Sequence, residues 1–218
     1  MWAPIHAWRA LGQLGAEAAI EPLLPLFEEA EDDDWVIEEL PEVYGMIGPA
    51  AIPAIAAYIG DQVLPDWPRI VASRSLEEIG KRHPDARDES VAVLTRQLEV
   101  FDENDPEMNG FLVLHLIRLK ALEALPVIKR AFDAGYVDEI VVGDWDDAQV
   151  EFGLKAPKEE PLTPLVPLPR PSMQSMIAEG EAAPHPAPSK ASHQSNTAQR
   201  KAKNKMAKQS RKKNRKRR

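Results

Sequence analysis

The sequence predicts an all-α protein in which about four helix pairs stack into a solenoid, and three observations carry that expectation. A six-residue frame, small-large-x-x-aliphatic-glycine, occurs four times: Ala10 to Gly15, Val43 to Gly48, Ser75 to Gly80 and His115 to Lys120, the last without its glycine. Apolar residues on both sides of each copy recur at helical spacing. An aliphatic anchor (Ile20, Ile52, Leu125) comes soon after each frame, except in the third copy, where Lys81 to Ser90 intervene before Val91. Offsets of 33, 32 and 40 residues between copies fall in the range of stacked helical arrays.

The first helix is expected from Pro4 to Leu14, with proline in a first-turn position that needs no N–H. Ile5, Trp8 and Leu11 form its stripe, Ala7, Ala10 and Gly12 admit a neighbour, and Gly15 ends it. Ile20, Leu23, Leu24 and Phe27 mark the partner helix, which Pro22 and Pro25 kink or shorten. Ile37, Leu40, Tyr44 and Ile47, then Ile52, Ile55 and Ile59, repeat the arrangement, with a bend or a late start at Pro41. The third pair runs through Ala72, Leu76 and Ile79 to a stop at Gly80, then through Val91, Leu94 and Leu98. Asp105-Pro106 reads as an N-cap with proline next to it at the first helical position. Phe111 to Leu119, apolar nearly all round, is expected to be the most buried element. Leu122, Leu125, Ile128 and Phe132 close the array. Val137 to Val142 reads as extended, and Asp144 caps a last short helix.

Trp2, Ile5 and Trp8 lie along one helix, so an exposed apolar patch is expected on its outer side. The solenoid thus spans 1–154. Residues 155–188 are a proline-rich linker, with Pro164, Pro167, Pro169 and Pro171 spaced for polyproline conformations. Residues 189–218 have little to bury and read as a disordered basic tail.

Arg69, Ala72, Ser73, Ser75, Leu76, Ile79 and Gly80 resemble the first helix of HEAT-like repeats of the phycobilisome-lyase type, and Gly15 to Leu23 resembles their glycine-to-second-helix junction. At a finer level Trp2 to Trp8, Glu38 to Pro41, Gly45 to Pro49 and Gly143 to Trp145 resemble a bacterial HEAT-like family of unknown function. Its members often end in a cysteine-rich SEC-C zinc motif. With no cysteine in the chain, that zinc chemistry transfers to no residue here.

Composition narrows the chemistry. The absence of cysteine excludes disulfides and thiol catalysis and fits a reducing cytoplasm. No apolar run reaches the ~18 residues of a membrane span. Five scattered histidines make no His-x-x-x-His or His-Glu pair, and no phosphate loop, nucleophile elbow or Ser-His-Asp arrangement occurs. No catalytic residue, cofactor site or metal site is therefore expected, and the protein reads as a non-enzyme. His115 reads as a buried, hydrogen-bonded core histidine. The loop Lys81 to Glu89 gathers a histidine and three carboxylates, but its own cations compete for them. Trp8 reads as core, and Trp35, Trp67 and Trp145, each beside an Asp near a helix start, as half-buried packing at the junctions between pairs or as anchors lining a groove.

Charge is divided. Residues 1–160 hold 33 acids and 13 bases, whereas 182–218 hold 13 bases and no acid. Nine acids and no base fall between Glu28 and Glu42. Within them Asp32, Asp33, Asp34, Trp35, Glu38 and Glu39 form a candidate patch for a basic partner, the chain's own tail among the possibilities. Arg200, Lys201, Lys203, Lys205, Lys208, Arg211, Lys212, Lys213, Arg215, Lys216, Arg217 and Arg218 form a candidate polyanion-binding arm. No aromatic lies beyond Phe152, so such an arm contacts phosphates rather than stacking on bases. The expected role is an adaptor: the solenoid holds a protein partner and the tail tethers it to RNA, the ribosome or another polyanion. The alternative is a chromophore-lyase-like protein holding a tetrapyrrole in its groove.

Overall fold

The computed structural model describes residues 3–156. Apart from Lys155 and Ala156, the linker and tail expected from the sequence lie outside them. Among the described residues every regular element is helical. No single helix there is long and apolar enough to cross a membrane.

Helix α1 spans Ala3–Gln13. Gly15 lies just beyond it with φ 59°, its N–H reaching Gly12 O while the Ala16 N–H reaches Leu11 O. This crossed pair of bonds satisfies the last carbonyls of the helix. Pro22 and Pro25 then cut the partner helix short, as their missing N–H groups require. Helix α2 is only Ile20–Leu23, and Leu24–Glu31 continues in tighter 3₁₀ turns. Helix α3, Asp34–Ile47, begins at an Asp33 cap and runs through Pro41. A late start at Pro41 does not occur. Helix α4 is Ile52–Gly60, α5 is Asp66–Arg82 and α6 is Arg87–Glu99. Helix α7, Pro106–Arg118, starts at the predicted Asp105 cap, whose side chain accepts from Glu107 N–H at 3.0 Å. After α8, Leu125–Asp133, come the short α9, Glu139–Val142, and α10, Trp145–Glu151. Asp144 and Asp147 form a capping box at the start of α10.

The helices form two layers. In one, α1 packs on α3, α3 on α5 and α5 on α7; in the other, α4 meets α6 and α6 meets α8. Each passage from the first layer to the second includes a 3₁₀ turn: 17–19, 49–51, 84–86 and 122–124. The core runs between the layers through Phe27, Tyr44, Ile55, Leu76, Leu94 and Leu112, all essentially inaccessible. At roughly 25 cal/mol per Å² of apolar surface removed from water, this continuous core is the main stabilising term.

Three expectations need correcting. Gly80 is no stop, because α5 continues to Arg82 and its end falls at His83. The frame glycine there is buried against Leu119, and α6 begins at Arg87, four residues before Val91. Val137 to Val142 is not extended, since Asp138 accepts from Ile140 N–H at 2.9 Å and starts α9. The most buried helix is α5, not α7: every residue from Pro68 to Gly80 except Arg74 is buried. Hydropathy hides this, because Arg69, Ser73, Ser75, Glu77 and Glu78 are among them. Trp2, on which the expected outer patch of α1 rests, lies outside the described residues; Ile5 is buried and Trp8 packs against the core, while Ala7, Ala10 and Leu14 are exposed.

Candidate binding surfaces and the charge network

The acidic stretch divides on folding. Asp33 is the N-cap of α3, accepting from Trp35 N–H at 2.9 Å, a position that carboxylates favour through both hydrogen bonding and the helix dipole. Asp32, Asp34, Trp35 and Glu38 are exposed beside it. Glu39 departs from the group. One turn into the helix it is turned inward, buried, and held by Arg9 from α1 at 2.6 Å through Nε. Glu42 likewise faces α5, where Arg74 and Arg82 reach it. The patch expected from sequence therefore keeps Asp32, Asp33, Asp34, Trp35 and Glu38 together at the start of α3 and loses Glu39 to the helix interface.

The ion pairs of Glu39 and Glu42 belong to a larger pattern. Each contact between neighbouring helices of the first layer carries one: Arg9 with Glu39, Arg74 and Arg82 with Glu42, and Arg118 and His115 with Glu77. The last is the most enclosed. Glu77 is fully buried in α5, His115 Nδ1 lies 2.5 Å from its Oε2, Lys81 binds its Oε1 from one turn on, and Arg118 Nη1 approaches to 3.4 Å. Burial alone would raise the Glu77 carboxyl. The His115 hydrogen bond and the Lys81 and Arg118 cations outweigh it and hold the carboxyl at about 2. Burial pushes His115 below the usual histidine range, against the pull of Glu77. At neutral pH the pair is thus a carboxylate accepting from the Nδ1–H of a neutral imidazole. His115 is the buried core histidine expected from sequence, but Glu77 as its partner was missed. The signal was present: Glu77 lies on the same helical face as Ser73, Leu76 and Gly80, where a solvated glutamate does not belong.

The loop after α5 resolves into structural contacts. His83 Nε2 lies 3.0 Å from Gly45 O, so this nitrogen donates to the carbonyl. Asp88 pairs with Arg87 at 2.7 Å. Arg87 itself forks onto the end of α7, donating from Nε to Leu119 O at 3.0 Å and from Nη2 to Lys120 O at 3.1 Å. Among the described residues no three His, Asp or Glu side chains group as a metal site. A second polar cluster, which local sequence patterns did not signal, joins α6, α7 and the turn at Tyr136 after α8. Asn104 bonds Gln97 O and Asn109, and Asn109 donates to both Phe101 O and Tyr136 O.

Two shallow grooves open on the second layer. One, of about 570 Å³, runs along a single face of α6 through Asp88, Ala92, Thr95 and Glu99, with Glu123 at its edge. The other, of about 320 Å³, lies between α8 and α10 and is lined by Leu125, Pro126, Trp145 and Leu154. Trp145 packs on Phe132 with ring centroids 5.7 Å apart. Trp67 instead packs edge-on against Phe111 and donates from Nε1 to Ala30 O at 3.2 Å. The polyanion-binding residues of the tail, Arg200 to Arg218, lie outside the described residues.

Residues 6–29 match the PBS lyase HEAT-like repeat family. That segment covers most of α1, its glycine stop, the short α2 and the start of the 3₁₀ turns that continue it. No curated protein and no solved structure matches the chain.

Proposed function

We propose that this protein is a non-catalytic adaptor, built as about four HEAT-like helix pairs that hold a protein partner, with a basic tail that tethers the assembly to a polyanion such as RNA or the ribosome in the cytoplasm. The observation that carries the reading is the division of labour between the layers. Ion pairs cross every helix contact of the first layer, while the second keeps open grooves along α6 and beside α8, edged by the Arg87–Glu123 and Lys129–Asp133 pairs. Repeat arrays use such continuous surfaces for recognition. The tail supports the tether by composition alone, with twelve bases between Arg200 and Arg218.

Two measurements test the two halves. The full chain should bind single-stranded RNA with log K falling against log salt at a slope of about −3 to −4, as roughly 4–6 phosphate contacts at about −0.7 each require. No binding at low salt would remove the tether. For the solenoid, captured partners should be lost when Thr95 and Ala92 on α6 are replaced by Arg. A partner list unchanged by that substitution would remove α6 from the binding surface. Visible absorption of the purified protein would favour the tetrapyrrole-holding alternative.

A further inference from the structure

We propose that His115 is an acid-sensitive latch: as a neutral ring it holds α7 against α5, and on protonation it releases α7 and the helices that follow it. The inference goes beyond the adaptor reading and does not depend on it.

The latch sits at a joint. Units of such an array touch their immediate neighbours, and a terminal unit can open by itself. Here α7 and α8 reach the earlier helices through α5 and α6. His115 is turned toward α5 and is 2 % exposed, with Nδ1 2.5 Å from Glu77 Oε2. Its other ring nitrogen, Nε2, is also buried and meets no acceptor among the described residues. In the neutral ring the one proton sits on Nδ1 and Glu77 accepts it. Protonation puts a second N–H on Nε2, a buried donor that finds no acceptor until α7 moves away.

Protonation also adds a cation where the charges already lean positive. From α5, Glu77 faces the ring, but Lys81 holds its other oxygen and Arg118 of α7 approaches the shared one at 3.4 Å. Arg74 of α5 also acts on the ring, and its own carboxylates are Glu42 and Glu78. One carboxylate thus serves two cations before an imidazolium arrives. The contacts from the remaining neighbours lie elsewhere on α7. Arg87 of α6 reaches Leu119 O and Lys120 O, and Val141 of α9 packs against Gly110. Burial, aided by Arg118 and Arg74, outweighs the pull of Glu77. The ring therefore takes up a proton more readily once α7 has left α5. The open state gains that proton as pH falls below the ordinary histidine value of 6.5, while the closed state stays neutral. Closure is then complete above pH 6.5 and weakens in acid.

The test is backbone amide exchange on the full chain, corrected for intrinsic rates. Protection in α7 and α8 should fall about tenfold between about pH 7.5 and 5.5, as uptake of one proton by the open state requires. His115→Asn keeps a donor near the Nδ1 position and cannot be protonated. Its α7 should be less protected overall but nearly equally so at both pH values. Parallel losses in wild type and variant would assign the acid response to another group and overturn the proposal. Protection that rises in acid would also overturn it, because the imidazolium would then be the tighter form. Should the variant not fold, the ring nitrogen resonances of wild-type His115 decide. A neutral ring with its proton on Nδ1, kept in the folded protein down to about pH 6, supports the latch, since a free histidine is mostly protonated there. An imidazolium in the folded protein at that pH would remove it.

Discussion

The two layers of this solenoid solve the same stacking problem in different ways. In α1, α3, α5 and α7 each neighbour is reached by a charged side chain crossing the interface, and close approach is enforced at Gly45. A β-carbon there would come within 2.7 Å of Glu78 Cβ. None of these ion pairs joins α4 to α6 or α6 to α8, and the outward faces of α6 and α8 are left as grooves. Specificity of stacking is concentrated on one side of the array. Buried ion pairs are weak evidence of net stability, but removing one partner is costly because the other charge is stranded. The first layer thus carries the charged contacts that are costly to break, at Glu39 and Glu77 above all.

The largest expected effect comes from breaking the deepest pair. Glu77→Ala should cost about 3 kcal/mol in urea unfolding at pH 7, because the bonds from His115, Lys81 and Arg118 that hold the buried carboxyl at about 2 against 4.5 are lost, at roughly 1.4 kcal/mol for each tenfold. The pH dependence has a definite sign. The Glu77 carboxyl is held at about 2 in the fold against an ordinary 4.5, so its contribution is complete above pH 4.5 and is lost as pH falls toward 2. The gap between wild type and variant should close over that window, and a constant gap would show that Glu77 acts by packing alone. Gly45→Ala should be next, at about 1–3 kcal/mol from overpacking against α5, seen as a lower midpoint with unchanged slope. Smaller and opposite in direction, Lys120→Gly should stabilise by about 1 kcal/mol, because Lys120 holds φ 52°, a region costly for side chains with a β-carbon. Ala92→Ser on α6 should shift stability by no more than about 0.5 kcal/mol. A larger loss there would show the second layer to be as constrained as the first and would erase the contrast.

How much the sequence disclosed depends on the range over which its signals act. Local rules located the Asp105 and Asp144 caps, the Gly15 stop and the fragmentation at Pro22 and Pro25, since each depends on residues within a turn or two. Helical periodicity placed Ile55, Leu76, Leu94 and Leu112 in the core. The rule failed on α5, where a buried helix carries five polar or charged residues: Arg69 and Glu77 reach Ile59 O and His115 on other helices, which no local window reveals, while Ser73 and Glu78 find partners within α5. Glu39 was grouped with exposed acids for the same reason: its cation, Arg9, lies thirty residues away in sequence.

Lys120 holds a further consequence. The turn it occupies repeats the bonding of the Gly15 turn, with Lys120 N–H on Ile117 O and Ala121 N–H on Leu116 O. Yet the glycine is gone, and Arg87 grips the two carbonyls of the bend from thirty-three residues upstream. The instruction for this corner is written elsewhere in the chain. A reader of motifs searching position by position would count one fewer corner than the molecule has. A designer copying the segment Pro106 to Asp133 into a new array without Arg87 would inherit the strained backbone and leave its clasp behind.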